Sequence, residues 1–255
     1  MNFVLENAPE LREAIVRRNI RDVVAQKIAN LIASGLLKIG DDLPSERDLA
    51  VALRVSRESV RGGIQILSAK GLLAVVQGAR TRVVSDDLGP EFKQLREPRL
   101  INSYGIDDIH AARLLVERTV VGDAAERIDD ETLAILRDSL EAQRFALDDP
   151  VRFIIIDREF HQAIYRASGN PVLADFVGDL YAYMMEHRRK AVSEPGAIER
   201  SFGDHQRIVS ALERRDRAGV VATFEIHIDR IYQTTLSILR PSGRGPEGAL
   251  EQQGP

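Results

Sequence analysis

Apolar residues recur along this chain mainly at helical spacing, and glycine and proline divide them into discrete runs. Val23, Ile28, Leu31 and Ile32 stripe residues 21–34, and Gly35 ends the run. Ser45 is placed to cap a second helix opened by Pro44-Ser45-Glu46-Arg47; Asp48 follows three residues on, and Leu49, Ala50 and Leu53 supply its apolar face. Val55-Ser56 breaks the period. A third helix starts at Ser56, with Val60, Ile64 and Leu67 on one face and Arg57 and Arg61, four apart, on another. Two β-prone runs follow, Leu72–Val76 and Thr81–Val84, joined by Gln77-Gly78-Ala79-Arg80, which predicts a hairpin with a basic tip. Three helices and such a hairpin over residues 15–86 make a winged helix-turn-helix. A helix with arginines near its start and a separate apolar stripe can lie in the major groove while its back packs on a small core. A generic helical domain with solvated arginines would share the helices but not the wing.

Residues 87–105 carry Pro90 and Pro98 and read as a connector with a short helix near Glu91–Arg96. Residues 106–240 read as six helices. The first follows Asp107-Asp108 and faces Ile109, Ala112, Leu115, Val116, Val120 and Ala124 inward; the second starts at Asp130 with Leu133, Leu136 and Leu140. A third spans Val151–Ser168 and stops at Gly169-Asn170-Pro171. Three more lie near Val172–Ala191, Ala197–Arg214 and Arg217–Leu239, the last capped by Asp216. Short loops make the six an antiparallel bundle. Residues 241–255 offer little to bury and are expected to be disordered. The fold class is therefore mainly α, an N-terminal winged helix-turn-helix followed by a C-terminal antiparallel all-α helical bundle.

Charge follows the same division. Residues 15–86 hold 12 Lys+Arg against 7 Asp+Glu, and the remainder 23 against 32, so a head of +5 sits on a body of −9. Such a head suits a phosphate backbone. The 255 residues include no cysteine, no apolar run long enough to span a bilayer and no signal-peptide pattern, so a soluble cytoplasmic protein with no membrane partner is expected.

The bundle also carries candidate chemistry. Asp157 and His161 are four apart on one helix face; His205 and His227 lie ten and eleven residues from the Arg215-Asp216 turn, on either side of it. In an antiparallel pair that brings the two imidazoles to within about one residue's rise, ~1.5 Å, of a common level. Three imidazoles and one carboxylate suit Zn²⁺, Ni²⁺, Mn²⁺ or Fe²⁺ better than Ca²⁺ or Mg²⁺. Taken singly, each of these residues also fits an ordinary core or surface position. Arg113 either forks a carboxylate in the same cavity or pairs with Glu117 at i+4. His110 and His187 share no such register.

The segments LPSERDLA, VSRESVR and GLLAVVQGARTRVV resemble the N-terminal domain of the GntR family of bacterial transcription regulators. The resemblance implies that Arg47, Arg57 and Arg61 touch DNA, that the wing tip at Gly78 enters the minor groove, and that Ser45, Ser56 and Ser59 meet phosphates or base edges. Arg80 is placed to join the wing in that groove. Gly62-Gly63 departs from the family's usual Glu-Ala type pair, and each interior glycine costs about 0.5–1 kcal/mol relative to alanine, which predicts a softer recognition helix. Asp157-Arg158-Glu159-Phe160-His161, Ala167-Ser168-Gly169-Asn170, Asp204-His205 and Ile226-His227 are similar to the ligand-binding domain of the FadR-like (FCD) subfamily. That resemblance implies one divalent transition metal on Asp157, His161, His205 and His227, beneath a small organic acid that Arg113 anchors. Asp204 stands where a glutamate is usual, a conservative change, and Asn170 is expected to serve the turn.

These readings converge on a metabolite-responsive regulator, a repressor more readily than an activator, that binds double-stranded operator DNA as a homodimer. Two competing classes are a metal-dependent hydrolase or oxygenase and a DNA-binding protein with a purely structural metal. The sequence shows no separate general base at a convincing spacing, and an enzyme would leave the head unexplained.

Overall fold

The computed structural model describes residues 19–75, 80–89, 104–182 and 185–239. The expected connector helix, the C-terminal tail and Gly78 lie outside them.

In the head, α1 (Ile20–Ala33), α2 (Glu46–Leu53) and α3 (Arg57–Ala69) surround Val24, Ile28, Ile32, Leu49, Val60, Ile64 and Leu67, all buried. Each such side chain contributes roughly 1.5–3 kcal/mol. Ser45 caps α2 by accepting from Asp48 N at 3.2 Å, and Ser56 caps α3 by accepting from Ser59 N at 3.1 Å. The glycine pair has a packing role that composition does not reveal. A Cβ on Gly63 would stand 2.6 Å from Val24 Cγ1 and 3.0 Å from the Ala25 backbone nitrogen, so the missing side chain lets α1 and α3 approach closely.

The wing pairs β1 (Leu73–Ala74) with β2 (Arg82–Val83), antiparallel, with Leu73 opposite Val83. Its other edge was not anticipated. Val83 N donates to the Asp41 carbonyl at 2.9 Å, Leu43 N to the Thr81 carbonyl at 2.7 Å, and Asp42 bridges Arg82, so the segment before α2 flanks β2.

The body comprises α4 (Ile106–Arg127), α5 (Asp130–Arg144), α6 (Pro150–Ala167), α7 (Pro171–Ala182), α8 (Met185–Val192), α9 (Ala197–Glu213) and α10 (Arg217–Leu239). The helix expected over Val172–Ala191 is thus described as α7 and α8, on either side of residues 183–184. Helix α4 packs on α6, α7 and α10, and α5 on α6 and α9. One inward assignment is overturned: Leu115 is 72% exposed. The buried stripe of α4 runs through Ile109, Arg113, Glu117, Val120, Val121 and Ala124 instead, because the i,i+4 ion pair of Arg113 and Glu117 turns into a polar cavity and rotates Leu115 outward.

Candidate metal centre and nucleic-acid interface

The exposed face of the head carries the predicted DNA contacts. Arg47, Arg57 and Arg61 are exposed along α2 and α3. Arg61 forks Glu46, with Nη2 to Oε2 at 2.8 Å, and this bond, outweighing the opposing effect of burial, holds the Glu46 carboxyl below its usual range. Ser45, Ser56 and Ser59 are occupied in capping: Ser45 Oγ donates back to Asp48 Oδ2 at 2.7 Å, and the Ser56 and Ser59 hydroxyls meet at 2.9 Å. Arg80 is exposed at the described edge of the wing, 3.9 Å from Asp149.

In the body, helix α6 positions Asp157 and His161, α9 positions His205 and α10 positions His227. One ligand atom from each lies within 4.8 Å of the others, and all four residues are buried. Asp157 Oδ1 is 3.2 Å from His205 Nε2 and 3.4 Å from His161 Nε2. For metal–ligand bonds near ~2.1 Å, the edge of a tetrahedron is about 3.4 Å.

Each ligand is held from behind. Tyr165 gives its single proton to Glu117 Oε2 at 3.1 Å, so its oxygen accepts from His161 Nδ1 at 3.4 Å. His205 Nδ1 donates to Gln143 Oε1 at 2.7 Å, and His227 Nδ1 to Asp204 Oδ2 at 3.4 Å. These partners place all three imidazole protons on Nδ1 and leave every Nε2 a bare lone pair, the ligating form. Asp157 Oδ2 accepts from Tyr181 and from Arg188 Nη2, leaving Oδ1 free. The four inward atoms, Asp157 Oδ1 and the Nε2 atoms of His161, His205 and His227, have no hydrogen-bond partner. Buried acceptors facing one another without donors are costly, so the residues present fit a cation.

Protonation states agree with that fit. Burial, ahead of the opposing pull of Asp157, lowers His161 to about 4; burial also lowers His227 to about 3 against the pull of Asp204. Burial would raise Asp157, yet its carboxyl lies well below the usual range, and the Tyr181 and Arg188 donors on Oδ2 favour the ionised form. Asp204 falls to about 2, since the hydrogen bonds and charges of His227 and Arg230 outweigh burial.

Beside the centre, Arg113 donates to Glu117 Oε1 at 2.6 Å while its Nη2 lacks a partner. The two readings of Arg113 are therefore compatible: one arm is paired and another is available. A second buried guanidinium, Arg188, was not foreseen; its Nε and Nη1 are likewise unpartnered. Gln143, Tyr181 and Arg188 were missed because each reaches the centre through tertiary packing, with no short-range motif; Tyr165, four residues after His161 on α6, carried an i,i+4 signal that went unread. His110 is engaged elsewhere, 2.8 Å from Asp229 and stacked on Tyr232.

Comparison with known proteins matches residues 20–83 to the bacterial regulatory proteins of the gntR family and residues 108–230 to the FCD domain. The HTH-type transcriptional repressor NanR of Cronobacter sakazakii is 30% identical over 229 residues, 88% of each chain. NanR of Klebsiella aerogenes is likewise 30% identical, with 88% of each chain covered. The structure of Escherichia coli McbR/YncC is 23% identical, with a TM-score of 0.49, covering 88% of this chain and 98% of that one. No described helix is long and apolar enough to cross a membrane. With near-full-length similarity to these repressors, and with both matches falling in the order head then body, the chain belongs to the GntR family of bacterial transcription regulators, in the branch that carries an FCD domain.

Proposed function

We propose that this protein is a repressor whose grip on operator DNA is set by a divalent transition metal and a small organic acid held in the bundle. The carrying observation is the convergence of Asp157 Oδ1 and three Nε2 lone pairs, all buried and without partners. When bound, the metal supplies a Lewis-acidic position for a carboxylate oxygen. Charge balance favours an acid as effector. Asp157 and Glu117 offset Arg188 and Arg113 in the cavity wall, so a divalent ion adds two uncompensated positive charges to a buried site. An organic anion restores the balance, and Arg113 Nη2 offers it a donor. The regulator reading is favoured over an enzyme because the body is joined to a gntR-family head and the chain is similar to repressors over 88% of its length. Two copies placing α3 and the wing on successive half-sites form the operator-binding unit, a homodimer.

The test is metal analysis with thermal melting across a panel of organic acids, with and without chelator. Wild type should carry about one transition metal per subunit, and at least one acid should raise the melting temperature only in the metal-loaded form. His205→Ala/His227→Ala should lose the metal and still bind operator DNA selected in vitro. Full metal content in that variant refutes the site. Metal without any acid response reduces it to a structural role.

A further inference from the structure

The metal-binding carboxylate and the DNA head are joined through two successive residues of α8. Arg188 turns inward, with Nη2 3.0 Å from Asp157 Oδ2 and its guanidinium carbon 4.0 Å from the Tyr181 ring centre. Its Nε and Nη1 are buried without partners, so the side chain has donors for an anion arriving beside Asp157. Arg189 turns the other way. Its Nη1 donates to the Leu36 carbonyl at 3.0 Å, and the guanidinium forks Asp41, with Nη2 to Oδ1 at 2.8 Å. Asp41 in turn offers its backbone carbonyl to Val83 N of β2 at 2.9 Å. From Asp157 to the wing strand the connection is one ion pair, one peptide unit, a second ion pair and one backbone hydrogen bond.

The geometry favours joint movement. Successive residues of a helix point about 100° apart, so a rotation or slide of the eight-residue α8 carries both guanidinium groups together. The rest of the seat is discontinuous: a cleft of about 1220 Å³ opens between α2 and helices α5 and α6. Around it the head is tied by separate ion pairs, Lys27 to Glu159 at 2.6 Å and Asp48 to Arg152 at 2.8 Å. Both of those ties end on α6, whereas the Arg189 tie ends on the helix whose other arginine holds Asp157.

We propose that α8 is a two-armed relay in which Arg188 registers what occupies the Asp157 site and Arg189 passes its displacement to the wing through Asp41. The proposal rests on the metal reading above. A bound cation draws on the same carboxylate that anchors Arg188, and an organic anion competes with that carboxylate for the guanidinium. Either event shifts the inner arm of α8 and, with it, the outer one.

The experiment is amide hydrogen exchange on the full-length protein, Zn²⁺-loaded and stripped with chelator, read over peptides covering residues 36–43 and 82–85. Metal content is measured in parallel. In wild type, exchange over these peptides should differ between the two states by about 5-fold or more, the lower end of ordinary allosteric coupling. Arg189→Ala and, from the opposite side, Asp41→Asn should keep the metal and a folded circular-dichroism spectrum while the two states become alike within about twofold. Lys27→Ala, which cuts a head tie ending on α6, should keep the wild-type response. Wild type that binds Zn²⁺ yet exchanges alike in both states overturns the relay, as does an intact response in Arg189→Ala or a lost one in Lys27→Ala. Failure of wild type to retain Zn²⁺ overturns the metal reading itself, and is seen in the metal content before any exchange is compared.

Discussion

Adjacent glycines in α3 should respond in opposite directions to the same substitution. Alanine in a helix interior is favoured over glycine by about 1 kcal/mol, so propensity alone makes both Gly62→Ala and Gly63→Ala stabilising. The neighbours decide otherwise. The new methyl at Gly63 would lie 2.6 Å from Val24 Cγ1, 2.9 Å from Val24 Cβ and 3.0 Å from Ala25 N, atoms of the buried α1 face that cannot withdraw without moving that helix. Overpacking of this kind costs about 1–3 kcal/mol, which leaves a net loss of up to ~2 kcal/mol. At Gly62 the nearest atoms, at 2.5 and 2.7 Å, are Cδ and Cγ of Arg21, whose side chain is 49% exposed and can swing away. Its pair with Glu58 is a surface one of little worth, so Gly62→Ala should be neutral or stabilising by up to ~1 kcal/mol. Thermal melting followed by circular dichroism resolves the difference, since 1 kcal/mol moves a unit of 60–100 residues by about 4–8 °C. If Gly63→Ala melts as high as Gly62→Ala, the close approach of α1 and α3 does not constrain the head as argued.

Three further outcomes follow from the head and the centre. Arg61→Ala should weaken binding to operator DNA selected in vitro by about 1–3 kcal/mol, measured by anisotropy at fixed salt; unchanged affinity in a folded variant removes Arg61 from the interface. Gln143→Ala should cut metal affinity roughly 10–100-fold by releasing the Nδ1 side of His205, and a competition titration showing wild-type affinity would deny Gln143 that role. In chelated protein, His161 at about 4 and His227 at about 3 lie below their value of about 6.5 in an unfolded chain. The unfolded state then takes up protons first, so these groups stabilise the fold above pH ~6.5 and that stability drains as pH falls toward 4 and then 3. A melting temperature that rises between pH 6.5 and 4.5 would contradict the assigned burial of these rings.

The helices and the four converging side chains were legible in sequence because their signals are local: capping serines, apolar stripes, an i,i+4 pair, and two histidines ten and eleven residues from one turn. What stayed hidden depends on contacts between distant segments. The Asp41–Leu43 edge of the wing has no alternation to announce it, only backbone bonds to β2. Leu115 read as core because the apolar pattern of α4 does not show that an ion pair takes the inward face. Gly62 and Gly63 read as softness, since whether a glycine weakens a helix or admits a neighbour depends on Val24, some forty residues away.

The three imidazoles of the centre are backed by three different acceptors, a carboxylate at His227, an amide oxygen at His205 and a phenol at His161. An acceptor behind an imidazole raises the electron density of the opposite nitrogen, most for a carboxylate and least for a phenol. For the metal proposed above, the backing groups would grade the site, with His227 the strongest donor and His161 the weakest. His161 is also the ligand whose phenol leads through Glu117 to Arg113. The metal is expected to be most exchangeable on the side facing the arginine proposed to receive the acid. In a cobalt-substituted protein the His161 resonances should be the first to broaden as an organic acid is titrated in, and His227 moving first would reverse the order of donor strength.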